Sequence, residues 1–217
     1  MKYQGVLFDL DGTLLDTLKD LANSVNVALE RLGFPTHGEE SYKNFVGDGR
    51  DILAARALPE NHRDSTTVTQ LVEFINEEYT EQWANNTAPY QGIPDLLDEL
   101  TAGNMKMAIL SNKDQHFTEL IVSRILSRWS FEAVVGLSPE VIKKPDPTAA
   151  IQLAQQLGIS AAEFLYMGDT GTDMKTAVGA GMYPVGVLWG FRSAEELLAG
   201  GAKKLIEHPR EFLELLK

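Results

Sequence analysis

The 217-residue chain contains no cysteine. Disulfides, thiolate metal sites and a cysteine nucleophile are therefore excluded. It also lacks any apolar run near the roughly 18 residues that a membrane span needs, so no membrane is expected as a partner. Positive charge is scarce: 19 lysines and arginines face 31 acidic residues, for a net charge of −12. Nucleic acids and anionic membranes are held by neutralising their phosphates, so this balance argues against both. There is no internal repeat and no low-complexity segment. The opening stretch, Met1 to Asp9, carries charges where a signal peptide would be apolar. No secretory signal is expected, and the cytoplasm is the expected location.

What is present is ordinary for a globular domain, with 44% hydrophobic and 23% charged residues. The length allows one large domain, or one domain carrying a smaller insertion. Short apolar runs at Tyr3 to Leu10, Met105 to Leu110, Phe131 to Val135, Phe164 to Met167 and Pro184 to Leu188 read as buried strands. Helical-looking segments separate them, which predicts an α/β fold around a parallel sheet. The stretch from Thr17 to Asn86 breaks the alternation. Leu18, Leu21, Val25, Leu29 and Leu32 form one helical stripe stopped by Gly33, and Val68, Leu71, Val72, Ile75 and Tyr79 form a second. The expected division is a core of residues 1–16 and 87–217 with a helical insertion over 17–86. The alternative is an extended helical excursion of the main domain.

Two acidic constellations carry the chemistry. Asp9-Leu10-Asp11-Gly12 ends the first strand, where ligands of open α/β sheets bind. Residues i and i+2 of an extended segment share a side, so Asp9 and Asp11 can face one reacting group, and Gly12 lets backbone approach an anion. One carboxylate is a candidate nucleophile and the other can handle protons. An aspartate–glycine turn is the bland alternative. Gly168-Asp169-Thr170-Gly171-Thr172-Asp173 follows another strand. Its carboxylates complete a hard, thiolate-free oxygen set suited to magnesium, although Asp173 also fits as the cap of a helix near Met174. Ser111-Asn112-Lys113 offers a hydroxyl and backbone amides to a phosphoryl oxygen, and Lys143-Lys144-Pro145-Asp146-Pro147 offers a cation. Each of these two is weak alone.

Taken in order, these four motifs resemble the haloacid dehalogenase superfamily of phosphohydrolases, over the whole chain. The resemblance implies a Rossmann-like parallel-sheet core with an inserted helical cap. It implies Asp9 as nucleophile and Asp11 as general acid/base. Gly12, Thr13, Ser111, Asn112 and Lys144 would bind phosphate, with Lys143 a possible substitute for Lys144. Asp9, the Asp11 carbonyl and Asp169 would hold Mg2+, supported by Asp173. Within the superfamily the chain is similar to phosphoglycolate phosphatase-like members, through Phe8 to Thr17, Val46-Gly47-Asp48-Gly49 and Trp189-Gly190-Phe191-Arg192-Ser193. Gly47-Asp48-Gly49-Arg50 is a candidate specificity loop, with Arg50 available to a substrate carboxylate, or simply a glycine-bounded turn. Crowding among the carboxylates is expected to favour a protonated Asp11, as an acid catalyst needs.

The expected partner is a small phosphate ester such as 2-phosphoglycolate. A phosphomutase or pyrophosphatase shares this scaffold. A dehalogenase has no use for Asp11 or magnesium, and phospho-accepting receiver modules carry no large helical cap. Covalent catalysis makes one direct prediction: Asp9→Asn abolishes phosphate release. A variant that turns over normally would rule out an aspartyl-phosphate at this position.

Overall fold

A computed structural model describes residues 2–217. The chain opens with strand β1 (Gly5–Phe8), then a short strand β2 (Leu15–Asp16). Four helices follow: α1 (Leu18–Arg31), α2 (Glu39–Phe45), α3 (Arg50–Ala57) and α4 (Ser65–Gln82). Strand β3 (Ala88–Pro89) returns the chain to α5 (Ile93–Ala102), β4 (Lys106–Asp114), α6 (Gln115–Ile125), β5 (Ala133–Leu137) and α7 (Thr148–Gln156). The last third holds β6 (Phe164–Gly168), α8 (Gly171–Ala180), β7 (Tyr183–Val187), α9 (Ala194–Gly200) and β8 (Lys204–Ile206), closed by 3-10 turns over Pro209–Leu216.

Six strands form one parallel sheet in the order β5-β4-β1-β6-β7-β8. This is the α/β parallel-sheet architecture that the alternating pattern predicts, in the Rossmann-like form that the resemblance implies. β1 lies at the centre, pairing Phe8 with Ile109 of β4 on one side and Met167 of β6 on the other. All four of its residues are buried, as covering both faces of a parallel sheet demands. Because the strands run parallel, the ends of β1, β4 and β6 meet at one edge. Asp9 and Asp169 lie just past the ends of β1 and β6, and Ser111 lies on β4 two residues beyond Ile109, the partner of Phe8. The order reverses at β1, since β4 and β6 leave it in opposite directions, and such switch points open a crevice for ligands.

The antiparallel pair β2–β3 stands apart from the sheet, with Leu15 opposite Pro89 and Asp16 opposite Ala88. Helices α1 to α4 lie between its two strands, so this ribbon is the neck through which the helical segment leaves and returns. Buried Leu21, Val25 and Leu29 of α1 and Leu71, Ile75 and Tyr79 of α4 lie on the two stripes read from the sequence. Those residues belong to the same hydrophobic cluster as Phe8 and Leu14 of the core. Helices α2 and α3, β8 and the neck were not expected; each is short, and periodicity needs more length to speak.

The neck is clasped by one side chain. Buried Asp20, in the first turn of α1, accepts from the Asn86 N–H at 2.9 Å and the Asn86 amide at 2.6 Å. It also accepts from the Thr87 N–H and hydroxyl, each at 2.8 Å. Asp20→Ala strips these donors, of which the Thr87 pair is buried, of their acceptor, and hydrogen bonds to a charged group contribute about 1.5–3 kcal/mol apiece. The expected loss is about 3 kcal/mol in urea unfolding. A change below about 1 kcal/mol would show that the clasp contributes little.

Candidate active site

Asp9 takes its position from the end of β1, where its N–H donates to the Met167 carbonyl at 2.9 Å. The chain then folds back on itself: the N–H groups of Thr13, Leu14 and Leu15 all donate to the Leu10 carbonyl, at 3.3, 3.0 and 3.0 Å. Gly12 sits in this turn with φ +84°, and a Cβ there would collide with the Asp169 carboxylate and the Phe191 ring. Glycine is therefore required for the turn to pass Asp169 so closely.

Three elements converge on one ammonium. Lys144 Nζ donates to Asp9 Oδ1 at 2.7 Å, to Asp173 Oδ1 at 2.7 Å and to the Leu110 carbonyl at 3.0 Å. All three of its protons are used. Burial alone would pull this lysine down, but Asp173 and Asp9 hold it well above its ordinary value. Lys143 instead faces the helical segment, with Nζ 3.4 Å from the Asp48 carbonyl.

Asp169 and Asp173 come from β6 and α8. Asp169 Oδ1 accepts from the Thr13 hydroxyl at 3.1 Å and Oδ2 from the Phe191 N–H at 2.8 Å. The helix begins at Gly171 with Thr170 as its cap, so Asp173 is the third helical residue rather than the cap itself. It closes a reciprocal box: its Oδ2 accepts from the Thr170 N–H at 3.0 Å and hydroxyl at 2.7 Å, while the Thr170 hydroxyl accepts from the Asp173 N–H at 3.2 Å. Carboxylate oxygens of Asp9, Asp169 and Asp173 all lie within 4.8 Å of one another. Burial, then Asp173, raises Asp169 to about 7, and burial with Asp173 raises Asp9 well above its ordinary value. Hard oxygen donors crowded this closely fit a small divalent cation, whose charge would relieve their repulsion.

Asp11 has a different environment from the one expected. Its partner is the Lys113 ammonium, at 3.0 and 3.1 Å from its two oxygens, and the Thr17 hydroxyl donates to Oδ1 at 2.6 Å. Like-charge crowding is felt by Asp9 and Asp169. Lys113 was quoted in the sequence motif but given no role. It lies two residues from Ser111 on an extended strand, and that spacing would have placed the two on one side. β4 runs further than predicted, to Asp114, with its register broken between Leu110 and Asp114. Such irregularities re-aim side chains, here Ser111 to Lys113.

The phosphate-binding expectations divide. Ser111 and Lys144 line a cavity of about 50 Å³ together with Asp9, Asp11 and Lys113. Ser111 Oγ accepts from the Lys113 N–H at 3.2 Å and keeps its own proton to donate. Asn112 also borders the cavity, but its amide is committed to backbone. Its Oδ1 accepts from the Lys144 N–H at 2.9 Å, and its Nδ2 donates to the Lys144 and Gly47 carbonyls at 3.0 Å each. Thr13 is fully buried and spends its hydroxyl on Asp169; like Gly12, it packs at that carboxylate rather than on the cavity wall. The helical segment supplies the remaining walls through Leu21, Val46, Arg50 and Leu53.

That segment is docked on the core. Arg192 donates to the carbonyls of Lys43 and Val46, the latter at 2.7 Å. The Thr172 hydroxyl donates to Asp48 Oδ1 at 3.1 Å, and Arg56 pairs with Asp48 Oδ2 at 2.6 Å. Burial pushes Asp48 up, but Arg56 and Thr172 outweigh it and hold the carboxyl below its usual range.

Comparison with known proteins agrees with this geometry. The family profile of haloacid dehalogenase-like hydrolases matches residues 6–187. A phosphoglycolate phosphatase of Pseudomonas putida is 31% identical over 212 residues, covering 96% of this chain and 78% of that protein. One from Chromobacterium violaceum is 31% identical over 217 residues, covering 99% and 96%. A crystal structure from Lactobacillus delbrueckii subsp. bulgaricus, of a protein provisionally named a phosphoglycolate phosphatase, superposes with a TM-score of 0.93. It is 28% identical and covers 100% of this chain and 99% of that one.

The raised carboxyls predict a pH effect. An acid whose folded value lies above its unfolded one stabilises the protein below the unfolded value, and that contribution fades as pH rises through the folded value. For Asp169 the window runs from about 4 to about 7. In chelator, melting at about pH 8 is expected below that at about pH 5. Added magnesium should raise melting more at the higher pH, where the carboxylates are free to bind it. Equal magnesium shifts at both values would contradict this.

Proposed function

The chain belongs to the haloacid dehalogenase-like hydrolase family and is a phosphatase, and from that premise we propose that it hydrolyses a short phosphate monoester, with 2-phosphoglycolate the leading candidate, through an aspartyl-phosphate on Asp9. The observation that carries this reading is convergence: Asp9, Asp11, Ser111 and Lys144 line one cavity, with Asp169 and Asp173 packed behind Asp9.

Asp9 attacks phosphorus in line, forming a carboxylate–phosphorus bond as the ester bond breaks. Asp11 gives a proton to the departing alkoxide. In the second half it takes a proton from water, which attacks the phosphorus and frees Asp9. Lys144 holds Asp9 Oδ1 and so orients the nucleophile. Ser111 donates to a phosphoryl oxygen. Asp9 and Asp169, with the Asp11 carbonyl, would hold magnesium, which when bound supplies Lewis-acid stabilisation of phosphoryl charge. Asp173 positions Lys144, and Asn112 fixes the backbone from which that lysine projects. Residues 17–86 act as the cap, excluding water while the ester bond breaks.

Cavity size supports a small leaving group. A water occupies roughly 10–15 Å³ on this measure, so about 50 Å³ holds a phosphoryl group with little beside it. Arg50 borders the cavity, with its guanidinium 4.9 Å from the Phe117 ring and donating to Asn76, and is suited to a substrate carboxylate.

Phosphate release from 2-phosphoglycolate, a hexose phosphate and pyrophosphate, each with magnesium and with chelator, tests the proposal. The short anionic ester should give the highest kcat/KM, and chelation should lower it by about 100-fold or more. Preference for pyrophosphate or the sugar ester would refute the substrate assignment, and activity undiminished by chelation would refute the metal.

A further inference from the structure

Lys113 is a second buried lysine at the cavity, distinct from the one that holds Asp9. Its ammonium is shared between two parts of the molecule. On the core side it grips both oxygens of Asp11, at 3.0 and 3.1 Å. Towards the helical segment it lies 4.8 Å from the centre of the Tyr79 ring on α4. Tyr79 is fully buried, and its hydroxyl has no hydrogen-bond partner among the described residues. The ammonium lies over the ring face with the hydroxyl nearby, and a desolvated cation over an aromatic face is attracted by the ring's quadrupole. The ring is itself braced edge-on by Phe117 of α6, at 5.1 Å between centroids.

We propose that Lys113 is a positioning residue for Asp11, seated by the Tyr79 ring, so that docking of the cap sets the placement of the proton-transferring carboxylate. This rests on the phosphatase reading and on Asp11 as its acid/base. When α4 is docked, Tyr79 covers Lys113, and Lys113 engages Asp11 from the cavity wall. When α4 withdraws, the ammonium loses its aromatic face and gains water, and its hold on Asp11 weakens. Proton transfer is then efficient only while the cap is seated and water is excluded. The coupling needs no contact between Tyr79 and the substrate.

The test uses steady-state kinetics on 2-phosphoglycolate with magnesium, with thermal melting confirming that each variant is folded. Lys113→Met should lower kcat by roughly 100-fold, the lower range of acid/base contributions, with KM within about threefold. Lys113→Arg, which keeps the charge, should recover at least about tenfold of that loss. Tyr79→Leu should cost roughly 3- to 30-fold in kcat, and Tyr79→Phe, which keeps the ring, at most about twofold. The Lys113→Met/Tyr79→Leu double variant should be no slower than Lys113→Met alone, because the ring acts through the lysine. Folded Lys113→Met with unchanged kcat, additive losses in the double variant, or Tyr79→Phe as slow as Tyr79→Leu would each overturn the proposal. Asp11→Asn separates this from failure of the parent reading: if that variant turns over normally, the acid/base assignment itself falls; if it is inactive while Lys113→Met is not, only the positioning role falls.

Discussion

The Lys144 ammonium sits between Asp9 and Asp173 at 2.7 Å from each, with the Leu110 carbonyl taking its third proton. Those acceptors come from the ends of β1 and β4 and the first turn of α8. Withdrawing charges from water is costly, and it is offset here only because every proton of the ammonium finds an oxygen. Losing any one contact would leave a buried charge partly unmatched. The arrangement thus ties three separate elements to one point, and the position of Asp9 is a property of the sheet edge as much as of its own residue.

A second ion pair, between Lys113 and Asp11, obeys different rules. It is buried too, but its surroundings come from both parts of the molecule: Thr17 at the neck, Tyr79 on α4 and Ser111 on β4. The first pair is built entirely within the α/β core and does not depend on the helical segment for its partners. The division matches the chemistry assigned to each. A nucleophile has to be rigid throughout the cycle, whereas proton transfer is useful only with substrate enclosed.

Much of this was legible in the sequence, for identifiable reasons. The central strands announce themselves because burial on both faces leaves unbroken apolar runs such as Val6-Leu7-Phe8 and Phe164-Leu165-Tyr166-Met167. Asp9, Ser111 and Asp169 stand out because polar residues at the ends of such runs are anomalous unless they have a use, while Asp11 and Lys144 were read from the order of the motifs. Partner choice was less readable. Nothing in the order of residues shows that Asn112 and Thr13 spend their hydrogen bonds on Lys144 backbone and Asp169, or that Lys113 rather than another carboxylate faces Asp11. Those assignments depend on spacings of a few ångströms between residues 32, 156 and 102 positions apart. Asp20 was hidden for the same reason: its partners are 66 and 67 residues away.

The docking of the helical segment has a bearing on how such a protein can diverge. Asn112, Lys143 and Arg192 reach across from the core to carbonyl groups of Lys43, Val46, Gly47 and Asp48. Peptide carbonyls are common to all residues, so these attachments are indifferent to most side-chain replacements along the loop; the Asp48–Thr172 pair is the exception. The side chains of Val46, Leu53 and Leu21, which line the cavity, are consequently free to drift in size and polarity while the latch holds. Fastening thus rests on backbone and the cavity wall on side chains, at Val46 within one residue, so the wall of the proposed ester site could be refitted by a few substitutions.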